Sequence, residues 1–414
     1  MNIKIITAGL SMIPIIALAQ PTGVNDPSQL DGKLGLNTIT TALPFMSITP
    51  DSRAGGLGDA GTALSPSSLS IYWNTSNLIF AKEKAEIGLS YVPWLRQLTN
   101  DIHLSYLSGY SQLGDRHVVG GSLRFFSLGS ITFTTDDAQI IREDKPSEYE
   151  LTGAYGFKLS EKMAIGVNGK FAYSNLTGGL TVGGIDSKPA IAGAADLSFT
   201  YFNEDAKFFG RRGNYTFGAT INNIGNKVSY SSAAVRDFIP TNLKIGNAFT
   251  VEFDDFNALT WSTDIQKLLV PTPPRTVSST NAIIAGKSSD VGTIAGMIQS
   301  FYDAPGAALK DENGDILYDD DGTEQIVKGS KLKEELNEIM IATGFEYWYN
   351  DLFALRAGIF YEAATKGNRQ FYNAGVGLKY NAFLIDISYL GSLNGRNSPL
   401  ANTLRFTMRL TLSE

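Results

Sequence analysis

The chain has 414 residues, among them 42 Gly, 23 Phe and 18 Tyr, but no Cys and only two His. The absence of Cys excludes disulfides, thiolate nucleophiles and Cys-ligated metal sites, and two His argue against a multi-His metal site. With 34 basic and 41 acidic residues, the net charge is −7, which disfavours non-specific nucleic-acid binding because that needs a basic surface. The abundance of Gly, Tyr and Phe favours strands and turns.

The first residues have the pattern of an export signal. Lys4 precedes an apolar run over Ile5–Leu18, which ends in Ala17-Leu18-Ala19. A charged start, a short apolar segment and an Ala-x-Ala site together predict a cleaved secretory signal peptide over residues 1–19. A membrane-anchoring helix is the alternative, but a span needs roughly 20 apolar residues, and Pro14 interrupts this run.

After Lys84 the sequence alternates apolar residues with polar or small ones. Near the end, for example, Phe406 and Met408 alternate with Thr407 and Arg409. Such a period of two is typical of strands that present one face to an apolar environment. Because each strand averages two unlike faces, a mean hydropathy of −0.05 is compatible with a membrane protein.

A soluble sandwich also alternates, but three features favour a membrane barrel. The segments are about 9–11 residues long, as tilted membrane strands require, whereas sandwich strands usually have about 5–6 residues. Charged residues share the second face with Gly and Ala, which suits a wet or plugged lumen. Aromatic residues such as Trp94, Tyr349 and Tyr380 lie at strand ends, as in the aromatic girdle of a barrel.

The sequence therefore predicts an all-β fold, a transmembrane antiparallel β-barrel of about 14 strands over residues 84–414, whose outer wall contacts outer-membrane lipids. The predicted strand cores are 85–92, 101–110, 117–126, 148–158, 163–173, 190–202, 212–222, 242–252, 257–268, 337–347, 352–361, 370–380, 382–390 and 403–412. Connections after even-numbered strands are short, with Asn203–Arg211 the longest, and most of those after odd-numbered strands are long. Periplasmic turns and extracellular loops of outer-membrane barrels alternate in this way, and an even strand number places both chain ends on the periplasmic side.

Residues 20–83 do not alternate. We interpret them as an N-terminal periplasmic segment followed by a hatch, residues 33–81, inside the barrel. A barrel this wide is not filled by its own side chains, so its lumen needs water or a plug. A disordered periplasmic tail is the alternative, but apolar residues such as Phe45, Ile71 and Phe80 seek burial.

The largest predicted connection is the extracellular loop Leu269–Leu336. Long loops on a rigid scaffold often carry function. Apolar residues in this loop either bind a partner or fold back over the barrel mouth: Ile298, Phe301, Tyr302, Leu317 and Tyr318.

The same loop has an acidic run, Asp311–Asp321, that matches a calcium loop at its first three ligand positions. Ile316 stands where an EF-hand needs Gly, and Gly322 stands where it needs Glu. A solvated acidic turn is therefore the preferred interpretation.

Neither His has the surroundings of a catalytic residue. His103 is predicted to face the lumen, because its neighbours Ile102 and Leu104 are expected to face lipid, and His117 is at a turn. No Gly-x-Ser-x-Gly motif accompanies them. The sequence predicts a protein that is not an enzyme, with no catalytic, cofactor-binding or metal-binding residues.

The Gly-rich part of the predicted hatch carries a family resemblance. The run Asp51-Ser52-Arg53-Ala54-Gly55-Gly56-Leu57-Gly58-Asp59-Ala60-Gly61 is followed by Trp73-Asn74. No Gly-Lys-Ser/Thr follows, so a phosphate-binding loop is disfavoured. The run resembles the hatch of PorV (LptO) proteins of the Bacteroidetes type IX secretion system, which are FadL-like barrels; Ser52 and Thr75 depart from an Ala and a Pro of that pattern. The matching residues are Asp51, Arg53, Gly55, Gly58, Asp59, Gly61, Trp73 and Asn74.

The resemblance implies a role in protein secretion. PorV-like proteins take secreted cargo, by its C-terminal signal domain, from the translocon barrel SprA (Sov), and pass it to an attachment complex that contains a PorU-type sortase. They are not the translocation pore, and no cofactor is implied. Two other functions stay open: a FadL-like transporter of hydrophobic small molecules, which a hatch in a wide lumen also suits, and a diffusion porin, which a plug disfavours.

Overall fold

The computed structural model describes residues 36–95, 99, 101–134, 140–176, 181–182, 185–231, 236–276, 282–393 and 402–412. The predicted signal peptide, residues 1–19, and the residues that follow it up to Gly35 lie outside this described part. Within it, fourteen antiparallel strands close into one barrel, which confirms the predicted fold class. The first and last strands close the wall, with Ala85 opposite Leu412.

Every predicted core overlaps one of the observed barrel strands. These strands are β1 (Ala85–Pro93), β2 (Ile102–Leu113), β3 (His117–Leu128), β4 (Ser147–Ser160), β5 (Met163–Asn175), β6 (Ala190–Phe208), β7 (Arg211–Gly225), β8 (Asn242–Glu252), β9 (Asn257–Leu268), β10 (Ile339–Tyr349), β11 (Phe353–Tyr361), β12 (Gln370–Tyr380), β13 (Phe383–Ser392) and β14 (Thr403–Leu412). Their connections define two edges of the barrel. The edge with the connections after β2, β4 and the other even strands is called the short-turn rim, and the opposite edge the long-loop mouth.

The two faces of the wall have the chemistry that the alternation predicts. On β14, Phe406 and Met408 are exposed on the outer wall, whereas Arg405 and Arg409 are buried inside. In a membrane, burying a large apolar side chain of the outer wall is worth about 1.5–3 kcal/mol. The outer face therefore stabilises insertion, and the inner face is left to hold charge.

One predicted turn is wrong. β6 continues to Phe208 and β7 begins at Arg211, so the connection consists of Phe209 and Gly210 rather than the whole of Asn203–Arg211. Both connecting residues have a positive φ, 52° and 78°, as in the tight hairpin turns that match strand twist. The pairing of β6 shifts its register between Asn203 and Ala206. A bulge of this kind interrupts the alternation, which is why the sequence pattern ended too early.

The predicted side of β2 is also wrong at His103. Its ring lies 5.4 Å from that of Tyr91 and 5.9 Å from that of Phe125, on the outer face of the wall. Leu104 and Tyr106 point inward and are buried against residues of the lumen. The lumen of this barrel has apolar content of its own, so apolar residues on β2 did not mark the lipid face.

That content is the hatch, which occupies the lumen over residues 44–80. It consists of short helical pieces: a 3-10 helix at Pro44–Ser47, α1 (Ser52–Gly55), α2 (Ser70–Trp73) and a 3-10 helix at Thr75–Phe80. Most of their side chains are buried. None of the described helices has the length and the apolar content that crossing a bilayer requires.

The connection between β9 and β10 is the predicted large loop. It contains paired short strands at Arg275–Thr276 and Ile283–Ala285, and the helices α3 (Thr293–Gln299) and α4 (Ser330–Asn337). The large loop is therefore an ordered element at the long-loop mouth.

Candidate functional site: a fixed hatch and an exposed outer loop

Asp51 organises the start of the hatch motif. Its carboxylate accepts a hydrogen bond from the backbone N–H of Arg53 at 2.8 Å, which caps α1, and another from Trp73 Nε1 at 3.0 Å. A capping carboxylate satisfies one of the free N–H groups at a helix start. Because the same carboxylate holds the Trp73 indole, it joins α1 to α2 across the lumen.

Arg53 joins the hatch to the barrel wall. Its Nε and Nη2 atoms donate to the two carboxylate oxygens of Glu346 on β10, at 2.8 Å and 2.6 Å. Its guanidinium also donates to the Ser65 carbonyl and hydroxyl oxygens, at 3.1 Å and 2.8 Å. Such two-point pairing fixes direction as well as distance.

The ion pair extends around the wall. Glu346 also accepts from Arg356 on β11 at 2.7 Å, and Arg356 Nη1 lies 2.7 Å from Asp386 on β13. Asp386 lies 3.2 Å from Arg409 on β14, which is 3.6 Å from Glu86 on β1.

Glu86 connects this series of ion pairs to the hatch. It accepts from the backbone N–H and the hydroxyl of Ser68, at 2.6 Å and 2.8 Å. We name the series from Arg53 to Glu86 the charge belt. Its side chains are buried, and removing one partner of a buried ion pair typically costs about 3–5 kcal/mol. The belt therefore fastens the hatch to the wall at two points, Arg53 and Ser68.

The glycines of the motif permit close contact with the wall. Gly58 has φ of +73°, and a Cβ there would lie 2.4 Å from the carbonyl oxygen of Ile359. At Gly61 a Cβ would lie 2.3 Å from the ring of Trp73. The carbonyl of Gly55 accepts from Asn373 Nδ2 at 2.7 Å.

The remaining motif residues also bind the barrel. Asp59 pairs with Arg405 on β14. Asn74 Nδ2 donates to the Thr62 carbonyl and to Thr200 Oγ1, both at 3.0 Å. All eight motif residues predicted from the sequence thus lie where the hatch packs against itself or against the wall.

A cavity of about 670 Å³ remains between the hatch and the long-loop mouth. Its surface is mainly apolar, and its lining includes Phe45, Met46, Phe126, Leu268, Phe360 and Phe371. Lys244 brings a charge to it, with its ammonium 4.9 Å from the ring centre of Tyr72 and 4.4 Å from that of Trp73. Both distances are those of cation–π contacts.

The large loop is fastened to the barrel mouth by buried carboxylates of α4 and of Glu338, the residue before β10. Lys366 donates to Glu334 at 2.8 Å and to Glu338 at 2.9 Å. Glu338 also pairs with Lys267 of β9 at 2.5 Å and accepts from Thr272 Oγ1 at 2.6 Å. We call this group the loop clasp. The loop clasp therefore holds the base of the large loop against the barrel mouth.

Two further carboxyl groups of the large loop are held near the clasp. Asp303 accepts from the Thr272 backbone N–H and from Gln299 Nε2, each at 3.2 Å, and Glu335 accepts from the Ala304 N–H at 2.8 Å. Burial raises the pKa of Asp303 and that of Glu335 above their ordinary values. The folded loop is therefore more stable when these two carboxyl groups are protonated than when they are ionised.

The predicted partner-binding residues remain on the loop surface. Ile298, Phe301 and Tyr302 are 60%, 51% and 56% exposed and belong to one stretch at the end of α3. Leu317 and Tyr318 are 36% and 51% exposed and lie in a separate part of the loop, where Tyr318 forms an isolated β-bridge with Glu324. The exposed stretch around α3, from Ile294 to Tyr302, is named the outer apolar surface.

The acidic run of the loop forms turns. Asp311 Oδ1 accepts from the backbone N–H groups of Asn313 and Asp315, each at 2.9 Å, and Asp321 Oδ1 accepts from Thr323 Oγ1 at 2.7 Å. A short side chain that binds the backbone two residues on is a common way to stabilise a turn. Among the described residues, no cluster of three or more acidic or His side chains is placed to hold a metal ion.

A family model agrees with the hatch. The model described as type IX secretion system protein PorV matches residues 32–275, more than half of the 414 residues. The chain belongs to the PorV family. Membership makes it an outer-membrane component of the type IX secretion system, and it confirms the resemblance that the hatch motif indicated.

This PorV-family chain also matches solved barrel structures at low identity. The toluene transporter TodX of Pseudomonas putida has 12% identity and a TM-score of 0.45, over 87% of this chain and 98% of that one. A FadL homologue of Pseudomonas aeruginosa has 9% identity and a TM-score of 0.41, over 91% and 99%. The toluene transporter TbuX of Ralstonia pickettii has 13% identity and a TM-score of 0.43, over 87% and 96%. No curated protein sequence gives a significant match.

Sequence reasoning missed the wall half of the charge belt. Glu346, Arg356, Asp386 and Arg409 come from separate strands, each on the inward face between outward apolar neighbours. Their signal is a charge at an inward position of an alternating strand, which marks a residue that needs a partner inside the barrel. The pattern indicates that a partner exists but not which residue it is.

Proposed function

We propose that this PorV-family barrel is a receptor of type IX secretion that performs no catalysis. It binds the C-terminal signal domain of secreted cargo and the SprA (Sov) translocon barrel, and it passes cargo to the attachment complex with its PorU-type sortase. The observation that carries the proposal is an exposed apolar surface on an ordered loop, in a chain whose family is defined by this secretion system. Apolar and aromatic anchors dominate protein-binding surfaces.

The construction of the large loop supports a binding role. Its clasp uses buried charges to hold the loop in place, while Ile298, Phe301 and Tyr302 stay in contact with solvent. A surface that is ordered before binding loses less conformational entropy when a partner binds. Exposed apolar residues that lie next to one another commonly mark a site of protein interaction.

The hatch supports a receptor rather than a pore. Arg53, Asp59 and Asn74 each bind wall residues, so the plug is tied to β6, β10 and β14. A fixed plug leaves no wide channel for a polypeptide. Cargo is therefore expected to be held at the outer face.

The placement in the membrane follows from the two edges. We propose that the long loops face the cell exterior and the short turns face the periplasm, as in other outer-membrane barrels. The carboxyl end then lies on the periplasmic side, because β14 runs from the long-loop mouth to the short-turn rim. Outer-membrane lipids surround the apolar wall.

The test replaces the outer apolar surface. A triple variant Ile298→Ala, Phe301→Ala, Tyr302→Ala is compared with a control triple variant Glu312→Ala, Asp319→Ala, Asp320→Ala, whose residues are exposed in the same loop. Both are purified from detergent-solubilised outer membrane, and the bound translocon and cargo are quantified. Loss of binding in the first variant alone is expected. Equal binding in both would remove the outer apolar surface from the proposal.

One observation favours a second function, a FadL-like transporter of hydrophobic small molecules. The cavity above the hatch, with a volume of about 670 Å³ and mostly apolar lining, is large enough for a small ligand. This function predicts a bound lipid or detergent molecule in the purified barrel, detectable by native mass spectrometry, and a growth defect on a lipidic substrate. An empty barrel and a knockout defective only in protein export would count against it.

A further inference from the structure

The cavity above the hatch has a charge pattern that its apolar walls do not explain. Most charged residues of its lining pair with an opposite charge: Asp59, Lys170, Glu338, Glu362, Lys366, Arg369 and Arg405. Two more charged residues line the cavity, Glu148 and Lys244. Neither of them has an ion-pair partner among the described residues. The lining therefore keeps one negative and one positive charge without compensation.

Glu148 is a buried carboxylate without a cation. It lies at the mouth end of β4, beside Phe126 of β3, and is 2% exposed. Its Oε1 atom has no hydrogen-bond partner in the described part of the chain. The Ser174 hydroxyl, which accepts from the Tyr230 hydroxyl at 2.9 Å, is a hydrogen-bonding neighbour of the carboxylate. Burying a charge without a counter-charge is costly, so Glu148 favours an ammonium group that enters the cavity.

Lys244 is the opposite case, a buried ammonium without an acid. It belongs to β8 and is 5% exposed, and its ammonium lies over the rings of Tyr72 and Trp73. Asp264 on the neighbouring β9 accepts instead from the Gly61 backbone N–H at 3.0 Å. Ring faces attract the ammonium but accept no strong hydrogen bond from it. Lys244 therefore favours an anionic group that enters the cavity.

The two charges come from different sides of the cavity. Glu148 is on β4 and Lys244 is on β8, which are four strand steps apart in the barrel. Because neighbouring strands lie about 4.8 Å apart, these steps span roughly 19 Å along the wall, before curvature and the inward side chains shorten the gap. The cavity that both residues line has a volume of about 670 Å³ and mainly apolar walls. A molecule that meets both charges therefore needs an apolar body between its own two charges.

We infer that the cavity binds an apolar zwitterion, a small molecule with an amine towards one end and an acid towards the other. The amine pairs with Glu148, the acid pairs with Lys244, and the apolar chain lies against the cavity walls. A ligand with a single charge leaves one of the two buried groups uncompensated, so the site discriminates against it. This inference goes beyond the proposed receptor function, and it differs from the transporter alternative, for which an apolar ligand is sufficient.

The test compares probes that share one chain length and differ in charge: ω-aminododecanoic acid, dodecanoic acid, dodecylamine and dodecanol. Each is titrated into the purified barrel in an uncharged detergent, and native mass spectrometry measures the bound fraction. The zwitterion should bind ~10-fold more tightly than each of the other probes, because hydrogen bonds to charged groups are the strong ones. Dodecanoic acid, dodecylamine or dodecanol binding as tightly as the zwitterion would overturn the inference, and so would absence of zwitterion binding.

Two variants assign the charges. Glu148→Gln should lose the preference for the zwitterion and bind dodecanoic acid at least as well, whereas Lys244→Met should do the same with dodecylamine. Such a gain also shows that the variant is folded, and Lys328→Met, which changes an exposed Lys, should behave like the unaltered barrel. An unchanged preference for the zwitterion in either variant would contradict the assignment.

The selectivity of the unaltered barrel decides the inference even where a variant does not fold. No secretion partner takes part in these measurements, so failure of the proposed receptor function does not affect their result.

Discussion

The hatch and the large loop place their chemistry in opposite ways. The hatch buries charges inside the barrel and pairs them, from Arg53 through Glu346 to Arg409 and Glu86. The large loop buries the charges of its clasp but leaves apolar side chains such as Phe301 in solvent. Buried pairs fix a position, whereas exposed apolar groups gain free energy when a partner covers them. The hatch is therefore fixed in the barrel, whereas the large loop is available to bind a partner.

The largest effect is expected when the charge belt loses a member. Glu346→Gln removes the carboxylate that Arg53 and Arg356 share. Breaking such a buried pair should lower the free energy of unfolding by about 3–5 kcal/mol. The denaturant midpoint of the barrel measures this, with the exposed Glu312→Gln as control. Equal midpoints would mean that the belt does not hold the hatch.

The close packing of the hatch is expected to give the next effect. Gly61→Ala places a methyl group 2.3 Å from the ring atoms of Trp73, and overpacking typically costs about 1–3 kcal/mol. Gly153→Ala is the matched control, because no atom lies within 4 Å of the added methyl group. The same unfolding measurement, together with the fluorescence of the tryptophans, should separate the two variants. A midpoint for Gly61→Ala equal to that of Gly153→Ala would contradict close packing at this site.

Loosening the loop clasp is expected to act on the loop alone. Lys366→Met removes a cation from Glu334 and Glu338. Breaking a buried ion pair typically costs about 3–5 kcal/mol, but Glu338 keeps Lys267 as a partner, and the loss falls on the loop rather than on the barrel. Chymotrypsin should then cut faster at Tyr302 and in its neighbourhood, while the barrel keeps its unfolding midpoint. Lys328→Met, which changes an exposed Lys, is the control. Unchanged cleavage in Lys366→Met would show that the clasp does not order the loop.

The smallest effect concerns pH. Because burial raises the pKa of Asp303 and of Glu335, the folded loop prefers their protonated forms. This stabilisation is fully present below the ordinary carboxyl pKa and is lost as pH rises through the raised values. Hydrogen exchange of the loop amides, corrected for the intrinsic rates, should show less protection at neutral than at mildly acidic pH. Asp303→Asn should weaken that dependence. Protection that increases with pH would contradict stabilisation of the loop by protonated Asp303 and Glu335.

The barrel could be predicted from the sequence because its strands face two different environments. Alternation along β14 and the parity of the connections require no knowledge of distant contacts. The errors at His103 and at Asn203–Arg211 share one cause. In both places the strand has a feature that simple alternation does not encode. At His103, apolar hatch residues inside the lumen draw the apolar side chains of β2 inward. At Asn203–Arg211, a bulge interrupts the alternation, so the predicted strand was too short.

The candidate site, too, was predictable from the sequence only in part. The hatch motif from Asp51 to Gly61 was recognisable as a continuous run, and the structure gives each residue a contact. Its wall partners are more than 200 positions away in sequence: Glu346 accepts from Arg53, Arg405 donates to Asp59, and Asp264 on β9 accepts from the Gly61 backbone N–H at 3.0 Å. No local pattern indicates such pairs. The exposed residues of the large loop were recognisable by composition, but their order depends on the clasp.

Affinity purification of the chain from detergent-solubilised outer membrane, with identification of every co-purifying chain and bound small molecule, tests the central claim most directly. A receptor of type IX secretion should bring with it a large translocon barrel and secreted chains that carry a C-terminal signal domain. The triple variant of the outer apolar surface should lose them. A barrel that co-purifies with an apolar small molecule in its cavity and with no other chain would contradict the receptor and support the transporter.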